Sequence, residues 1–244
     1  MRRVVAVGVP HHITQRGNAR QDIFVNDSVR RAYLRLLRQH ARVNRLRVLA
    51  YCLMTNHAHI VAVPEHDASL ANTFRHAHAR FAQYWNTLFS RDGFHRDGHL
   101  WQNRYYSCPV EDAALWRVIA YVERNPLRAR LVRRAGEYLW SSAPAHVSGH
   151  DPAGLLDMAW WAECWEPAEW RAILAEGVPE DAGAGEEILA IRRATYTGRP
   201  YGSDAFIEEL GRRLGRRLDR QKGGRPRKGV ERVDAAQVVM GGAA

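Results

Sequence analysis

Cysteine is scarce in this 244-residue chain, and Cys52, Cys108 and Cys164 stand far apart with no C-x-x-C pair. That spacing excludes a disulfide framework and a cysteine zinc site, and it fits a reducing cytoplasm. Long apolar runs are also absent. No stretch approaches the roughly 20 residues of a membrane span, and the N-terminal apolar run halts at Pro10, too short for a secretory signal core. A membrane is therefore not an expected partner. No internal repeat is visible, which excludes a solenoid. An apolar share of 46% and a charged share of 25% are ordinary globular values and exclude a chain that is disordered throughout.

Acidic residues are depleted where basic ones collect. Residues 1–150 hold 22 Lys/Arg against 10 Asp/Glu, residues 151–191 hold 1 against 10, and residues 192–232 hold 13 against 5. The net charge of +10 is thus built from a basic, an acidic and a second basic segment. Polyphosphates select for such surpluses because each contact releases counterions. Two stretches are suited to nucleic acid and the acidic one is not.

The apolar pattern predicts a strand over 3–15 ended by Arg16-Gly17-Asn18, and a helix opened by Asp27-Ser28 over 29–43. A β-hairpin follows over 47–54 and 57–63, then a helix over 68–88 and a Gly- and His-bearing loop over 92–99. A strand over 100–110 and a helix over 111–123, stopping near Asn125-Pro126, complete the pattern. The order β-α-β-β-α-β-α implies an α+β fold, helices layered on an antiparallel sheet. Three regions are expected: a domain over 1–145, an acidic Trp-rich helical extension over 146–190 and a basic C-terminal DNA-binding region over 191–244. Gly183-Ala184-Gly185 reads as a linker, 204–218 as a helix, and the Gly/Arg/Lys-rich end from Gln221 as a mobile tail.

His57 and His59 flank Ala58 in the hairpin. Positions i and i+2 of a strand share a face, so two imidazoles converge inside an apolar hairpin where desolvation demands partners. A tetrahedral zinc site lacks further ligands, since no cysteine or H-x-x-x-H follows. On the helix before Pro126, Tyr121 and Asn125 are four apart and share a face. An Asn125 carbonyl oxygen would complete a shell suited to Mg²⁺ or Mn²⁺, with the Tyr121 hydroxyl beside it. A phenol is a poor nucleophile at neutral pH, and a divalent cation at the scissile phosphate compensates. The expected product is a 5′-phosphotyrosine with a free 3′-hydroxyl, and the bond energy kept in that link permits strand transfer.

Five ordered blocks, His12-Ile13-Thr14-Gln15-Arg16-Gly17-Asn18, Tyr51-Cys52-Leu53-Met54-Thr55-Asn56-His57-Ala58-His59, Gly98-His99-Leu100-Trp101-Gln102-Asn103-Arg104-Tyr105, Tyr121-Val122-Glu123-Arg124-Asn125-Pro126-Leu127-Arg128-Ala129 and Trp140-Ser141-Ser142, resemble those of REP-associated tyrosine transposases. These are bacterial single-tyrosine HUH proteins. A further stretch, Gly198-Arg199-Pro200-Tyr201-Gly202, resembles a C-terminal block of some members. The resemblance implies a ferredoxin- or RRM-like sheet, a His-x-His metal site, Tyr121 as nucleophile and Asn125 as third ligand. Its implied substrate is single-stranded DNA with a palindromic REP-type hairpin and a flanking tetranucleotide, bound by a monomeric, nucleoid-associated protein, with a dimer as the alternative. Thr55 departs from the usual proline.

Arg16, Arg20 and Arg104 are candidates for phosphate or base contacts, balanced evenly against solvated arginine, with Asn18 in the same block and Gly17 admitting a close backbone approach. Tyr105 and Tyr106 are candidates for stacking on unpaired bases, while Trp101 reads as core and His12 as a hydrogen-bonded structural histidine. The four tryptophans over 160–170 read as local packing. Arg225, Arg227 and Lys228 resemble the core of an AT-hook, with a plain basic tail equally acceptable. Two rivals stand beside the transposase reading: a non-catalytic DNA-binding repressor or chromosome-organising protein on the same fold, and a metal-dependent hydrolase that uses water.

Overall fold

The computed structural model describes residues 3–89, 99–175 and 182–218. Its sheet comprises β1 (His11–Arg16), β2 (Leu46–Leu53), β3 (His57–Pro64) and β4 (Tyr106–Pro109), with α1 (Asp27–Val43) and α2 (Ser69–Phe89) as crossovers and α3 (Asp112–Glu123) after β4. The strands lie in the order β2-β3-β1-β4, and every pairing is antiparallel. This β-α-β-β-α-β connectivity bears out the α+β fold that the sequence pattern predicts and the ferredoxin-type sheet that the resemblance implies.

Strand β3 explains why the centre of the sheet is so apolar. Its Ala58, Ile60 and Ala62 enter one core with Tyr33, Leu37, Phe74 and Phe81 of α1 and α2. Its Val61 and Val63 enter a second core with Val118, Ile119 and Val122 of α3. A strand buried on both faces reads as a continuous apolar run. His57 and His59 have the same parity as Val61 and Val63, and so share the α3 face. Helix α1 opens at Asp27, where the Asp27-Ser28 signal places its start, because the Asn26 side chain accepts from the Val29 N–H at 3.0 Å, a standard N-cap. The hairpin closes through the Met54 N–H on the His57 carbonyl at 2.9 Å. Thr55 occupies that tight turn, and its carbonyl accepts from the Ile23 and Phe24 N–H groups, so the loss of proline there leaves the turn closed.

Two expected strands are shorter than their patterns. Strand β1 starts at His11 rather than residue 3, because Gly8 with φ of 75° turns the chain and Pro10 has no N–H for the ladder. Val4 and Ala6 instead pack on Leu210 and Leu218. Strand β4 starts at Tyr106 rather than residue 100. Beyond α3 come α4 (Asn125–Arg128), α5 (Ala143–Ser148), α6 (Met158–Cys164), α7 (Pro167–Ala175), α8 (Ala182–Thr197) and α9 (Asp204–Arg213). The stretch Gly183-Ala184-Gly185 is therefore no linker: it lies in the first turn of α8, where glycine is tolerated because tertiary packing holds the helix. Helix α8 runs through residue 190, where the sequence placed a boundary. Helix α9 stops at Arg213, capped by Ser203, whose hydroxyl accepts from the Phe206 N–H at 3.2 Å. The loop expected over 92–99 lies outside the described residues except for His99, and so does the tail from Gln221.

The acidic extension is tied to α3 by a buried carboxylate. Glu123 is fully buried and accepts from the Trp170 indole N–H at 2.8 Å and from the Ser142 hydroxyl, while the His146 Nδ1 lies 2.6 Å from its Oε1. Trp161 stacks on His146 with ring centroids 3.5 Å apart, so two of the four tryptophans complete this core and do pack locally. Removing the acceptor strands two or three buried polar groups at once. Glu123→Ala is expected to lose about 3–5 kcal/mol of unfolding free energy in urea titrations; a loss below about 1 kcal/mol would show the network to be dispensable.

Candidate active site

A cleft of about 480 Å³ opens on the α3 face of the sheet, lined by residues of β1, β3, β4, α3, α4 and α8. His57, His59, Tyr121, Asn125 and Arg16, all singled out from the sequence, meet there. The hairpin supplies the two imidazoles, with ring centroids 5.0 Å apart. The ring of Tyr121 stands edge-on to His59 at 5.7 Å and to His12 at 5.7 Å. Helix α3 ends at Glu123, but α4 continues its course, so Asn125 remains one turn from Tyr121.

Hydrogen bonding orients these groups. The Asn125 Nδ2 donates to the carbonyls of Tyr121 and Val122, each at 3.1 Å, which leaves Oδ1 as the amide atom for the cleft. The Asn56 Nδ2 donates to the Arg20 carbonyl at 3.1 Å, and its Oδ1 lies 2.6 Å from the His57 Nδ1. An amide oxygen only accepts, so the His57 Nδ1 carries the hydrogen and Nε2 keeps its lone pair. The His59 Nδ1 lies 3.0 Å from the His12 Nε2, and the His12 Nδ1 lies 2.7 Å from the Thr195 Oγ1. His12 is indeed a hydrogen-bonded histidine, and the residue it holds is a candidate ligand.

Electrostatics keep the imidazoles neutral. Burial, then the nearby Arg16 and Arg192 charges, lower the His57 pKa to about 4, and burial lowers that of His12 to about 3. His59 falls well below the usual histidine range, first by burial and then through His57, His12, Arg128 and Arg192. Neutral imidazole is the metal-ligating form. Among the described residues no group of three His, Cys, Asp or Glu could hold a metal. A divalent cation would therefore need the Asn125 oxygen and non-protein oxygens beside the two histidines, and that donor set suits Mg²⁺ or Mn²⁺ rather than structural zinc.

Several cleft residues escaped the sequence reading. Arg128 donates to the Tyr121 carbonyl at 2.7 Å and places its guanidinium 4.5 Å from the centre of the Tyr121 ring. Burial lowers its pKa only to about 10, so it stays charged at neutral pH. The Arg192 Nε donates to the Tyr121 hydroxyl at 3.3 Å. Tyr196 stacks on Tyr106 with centroids 4.4 Å apart, and the pair lines the cleft. Arg128 stood in a quoted block without an assigned role; Arg192, Thr195 and Tyr196 lie in α8, where nothing local signals a site.

The remaining candidates lie elsewhere. Tyr105 is 7% exposed, packs on Phe74 at 4.8 Å and carries the Arg3 guanidinium over its ring at 3.8 Å, so it is a core residue and no stacking platform. Its neighbour Tyr106 opens β4 and takes the opposite face. Trp101 does pack inside, 4.5 Å from His78. Gly17 is required by its own turn: a Cβ there would meet the Gln21 carbonyl oxygen at 2.5 Å and the Ile23 side chain at 2.8 Å. Asn18, Arg20 and Arg104 are exposed and do not line the cleft. Arg225, Arg227 and Lys228 lie outside the described residues.

Comparison with known proteins places this geometry. No curated protein matches the chain. A solved REP-associated tyrosine transposase bound to a REP hairpin superposes with a TM-score of 0.50 at 17% identity, covering 66% of this chain and 89% of that one. A Deinococcus radiodurans R1 protein described as a transposase gives 0.36 at 20% identity over 51% of this chain and 95% of its own, too distant to bear on the fold. Residues 7–125, which carry all four strands together with His57, His59, Tyr121 and Asn125, match the family model of IS200-like transposases. The sheet-bearing core of this chain is thus similar, over residues 7–125, to the IS200-like transposase family.

Proposed function

We propose that this protein is an IS200-like transposase, a metal-dependent single-strand DNA endonuclease and strand transferase that acts on palindromic hairpin DNA through Tyr121. The observation that carries the reading is the Tyr121 hydroxyl in an arginine-lined cleft, 3.3 Å from the Arg192 Nε and beside the His57/His59 pair. The cleft arginines Arg16, Arg128 and Arg192 supply positive charge where a phosphodiester would lie, and among the described residues no Asp or Glu lines the cleft to oppose it. Tyr106 and its exposed partner Tyr196 offer ring faces to unpaired bases.

In the proposed reaction the Tyr121 Oη attacks phosphorus, the bond to the 3′ oxygen breaks, and a 5′-phosphotyrosine forms. The phenolic proton leaves to solvent and the departing 3′ oxygen takes one up. Arg192 orients the nucleophile and stabilises charge on it. Arg128 fixes the Tyr121 carbonyl and faces its ring, holding the nucleophile in place. Mg²⁺ or Mn²⁺ held by His57, His59 and Asn125 would supply Lewis-acid polarisation of the phosphoryl group. Attack by a second 3′-hydroxyl on the phosphotyrosine returns Tyr121 and completes strand transfer. The Tyr121 ring stands 5.7 Å from His59 of the same chain, which supports cleavage in cis. The fold shared with a REP-hairpin-bound transposase supports REP-type hairpins as the substrate class.

Incubation with a hairpin oligonucleotide and Mn²⁺ is expected to yield a covalent adduct on denaturing gels. Tyr121→Phe should abolish that adduct and keep hairpin affinity; an adduct, or undiminished cleavage, in this variant would eliminate Tyr121 as nucleophile and favour a water-using hydrolase. Binding that ignores chelators and never leads to cleavage would favour the repressor reading. Arg192→Gln is expected to slow single-turnover cleavage about 10- to 100-fold at saturating protein, the scale of one hydrogen bond to a developing charge.

The basic tail is proposed to grip phosphates. Deletion from Gln221 onward removes Lys222, Arg225, Arg227, Lys228 and Arg232. At about −0.7 per phosphate on single strands, losing three contacts would make the log–log salt slope shallower by roughly two units, with cleavage of bound DNA intact. An unchanged slope would remove the tail from the DNA-binding surface, and lost cleavage at saturation would place it in the active site.

A further inference from the structure

We propose that Thr195 of α8 is a positioning residue for the metal site, acting through His12 to hold His59 as the Nδ1–H tautomer with its Nε2 free to ligate. The inference rests on the metal-site reading above and adds to it a part of the chain, residues 182–197, that lies wholly outside the 7–125 family match. It starts from a hydrogen-bond chain whose two ends differ in kind.

The Thr195 Oγ1 donates to the Ile191 carbonyl one turn earlier in α8, at 2.8 Å. A carbonyl can only accept, so the single hydroxyl hydrogen is committed there. The same Oγ1 lies 2.7 Å from the His12 Nδ1, although 183 residues separate the two in sequence. With its hydrogen spent, the hydroxyl meets His12 as an acceptor, and His12 must carry its hydrogen on Nδ1. The Cys108 Sγ, 3.4 Å from the same oxygen, adds a weak thiol donor and leaves the direction unchanged.

A buried neutral imidazole has one N–H, so the His12 Nε2 is bare. It lies 3.0 Å from the His59 Nδ1, which must therefore donate to it. The only hydrogen of His59 is then used inside the protein, and its Nε2 lone pair is left for a cation. A chain of opposite polarity would put hydrogen on the His59 Nε2 and close the site. The Ile191 carbonyl selects against that arrangement.

His57 reaches the same state through its sequence neighbour Asn56. The two candidate ligands thus share one tautomer, set in one case by an adjacent amide and in the other by a helix from the far end of the chain. Partners of this kind typically alter metal affinity 10- to 100-fold when removed. Thr195→Val keeps the shape and removes the hydroxyl, whereas Thr195→Ser keeps the hydroxyl.

The test uses the full-length protein labelled with ¹⁵N-histidine. In metal-free samples, long-range ¹H–¹⁵N spectra of the wild type and of Thr195→Ser should show His59 protonated at Nδ1 and bare at Nε2. Thr195→Val should shift His59 toward the other tautomer and weaken binding of Mn²⁺ alone, read from the EPR signal of the free ion, by about 10-fold. Thr195→Ser should bind Mn²⁺ like the wild type. An Nε2–H His59 in the wild type would overturn the proposal even if Thr195→Val failed to fold. Unchanged Mn²⁺ affinity in a folded Thr195→Val would overturn it as well, leaving the metal site itself standing. If His57→Ala and His59→Ala each bind Mn²⁺ like the wild type, the metal reading falls and the positioning role falls with it.

Discussion

Imidazole rings placed on an apolar sheet lose water on every side, and a neutral ring in that position must have its N–H accepted by something. This requirement shapes the site around His57 and His59. One ring is met by Asn56, the next residue back along the chain. The other is met by His12, which is itself buried and must be met in turn by Thr195. His12 can reach His59 because β1 and β3 are antiparallel neighbours in which His12 pairs with Val61 and Thr14 with His59. The two histidines are then diagonal neighbours on one face, within reach for long side chains. A hydrogen-bonding need that begins in the hairpin is thus carried across the sheet and ends on α8, which the chain reaches more than 110 residues later.

The same logic holds α3 in place from its other side. Tyr121 and Val122 face the sheet and the cleft, while Glu123 turns a carboxylate into the acidic extension, where Trp170, Ser142 and His146 converge on it. The helix is consequently clamped between a sheet that carries the histidines and a helical cap that carries the tryptophans. Rigid support on both sides would matter for the proposed nucleophile Tyr121, because small displacements of reacting atoms cost large factors in rate. The segregation of charge along the chain fits this division: α7 of the acidic extension packs on α3, Trp161 of α6 joins the same core, and the basic segments on either side supply Arg16, Arg128 and Arg192 to the cleft.

What the sequence disclosed follows the range of the interactions involved. The element order and the α+β fold were legible because strand alternation and helix periodicity are local signals. The His57/His59 pair and the Tyr121/Asn125 pair were legible because each spacing, i+2 in a strand and i+4 near a helix end, fixes a shared face without knowledge of the rest. Arg192 and Thr195 were not, since they reach the site only through the packing of α8 on β4 and β1, a contact that no local pattern encodes. Tyr105 was misassigned because β4 is four residues long and begins at Tyr106; with the strand start misplaced, the face of each tyrosine could not be read. Gly17 illustrates the limit of motif reasoning in another way, as the turn it belongs to already uses up the space a side chain would need.

The composition of the cleft carries one more consequence for the proposed chemistry. Among the described residues its lining combines three neutral imidazoles, those of His12, His57 and His59, and the Asn125 amide oxygen with three arginines and no carboxylate. Divalent cations of the Mg²⁺ type are held chiefly by anionic oxygens, and the nearby guanidinium groups repel a cation in the empty cleft. In the proposed reaction the protein groups would hold a hard cation on their own, and the scissile phosphate would add the anionic ligand that tightens its binding. Phosphate and cation would then bind together, each offsetting a charge the other faces. Such mutual reinforcement would concentrate Lewis-acid polarisation in moments when a phosphodiester already lies against Tyr121, and it gives the arginines a role in admitting the substrate as well as in stabilising its transition state.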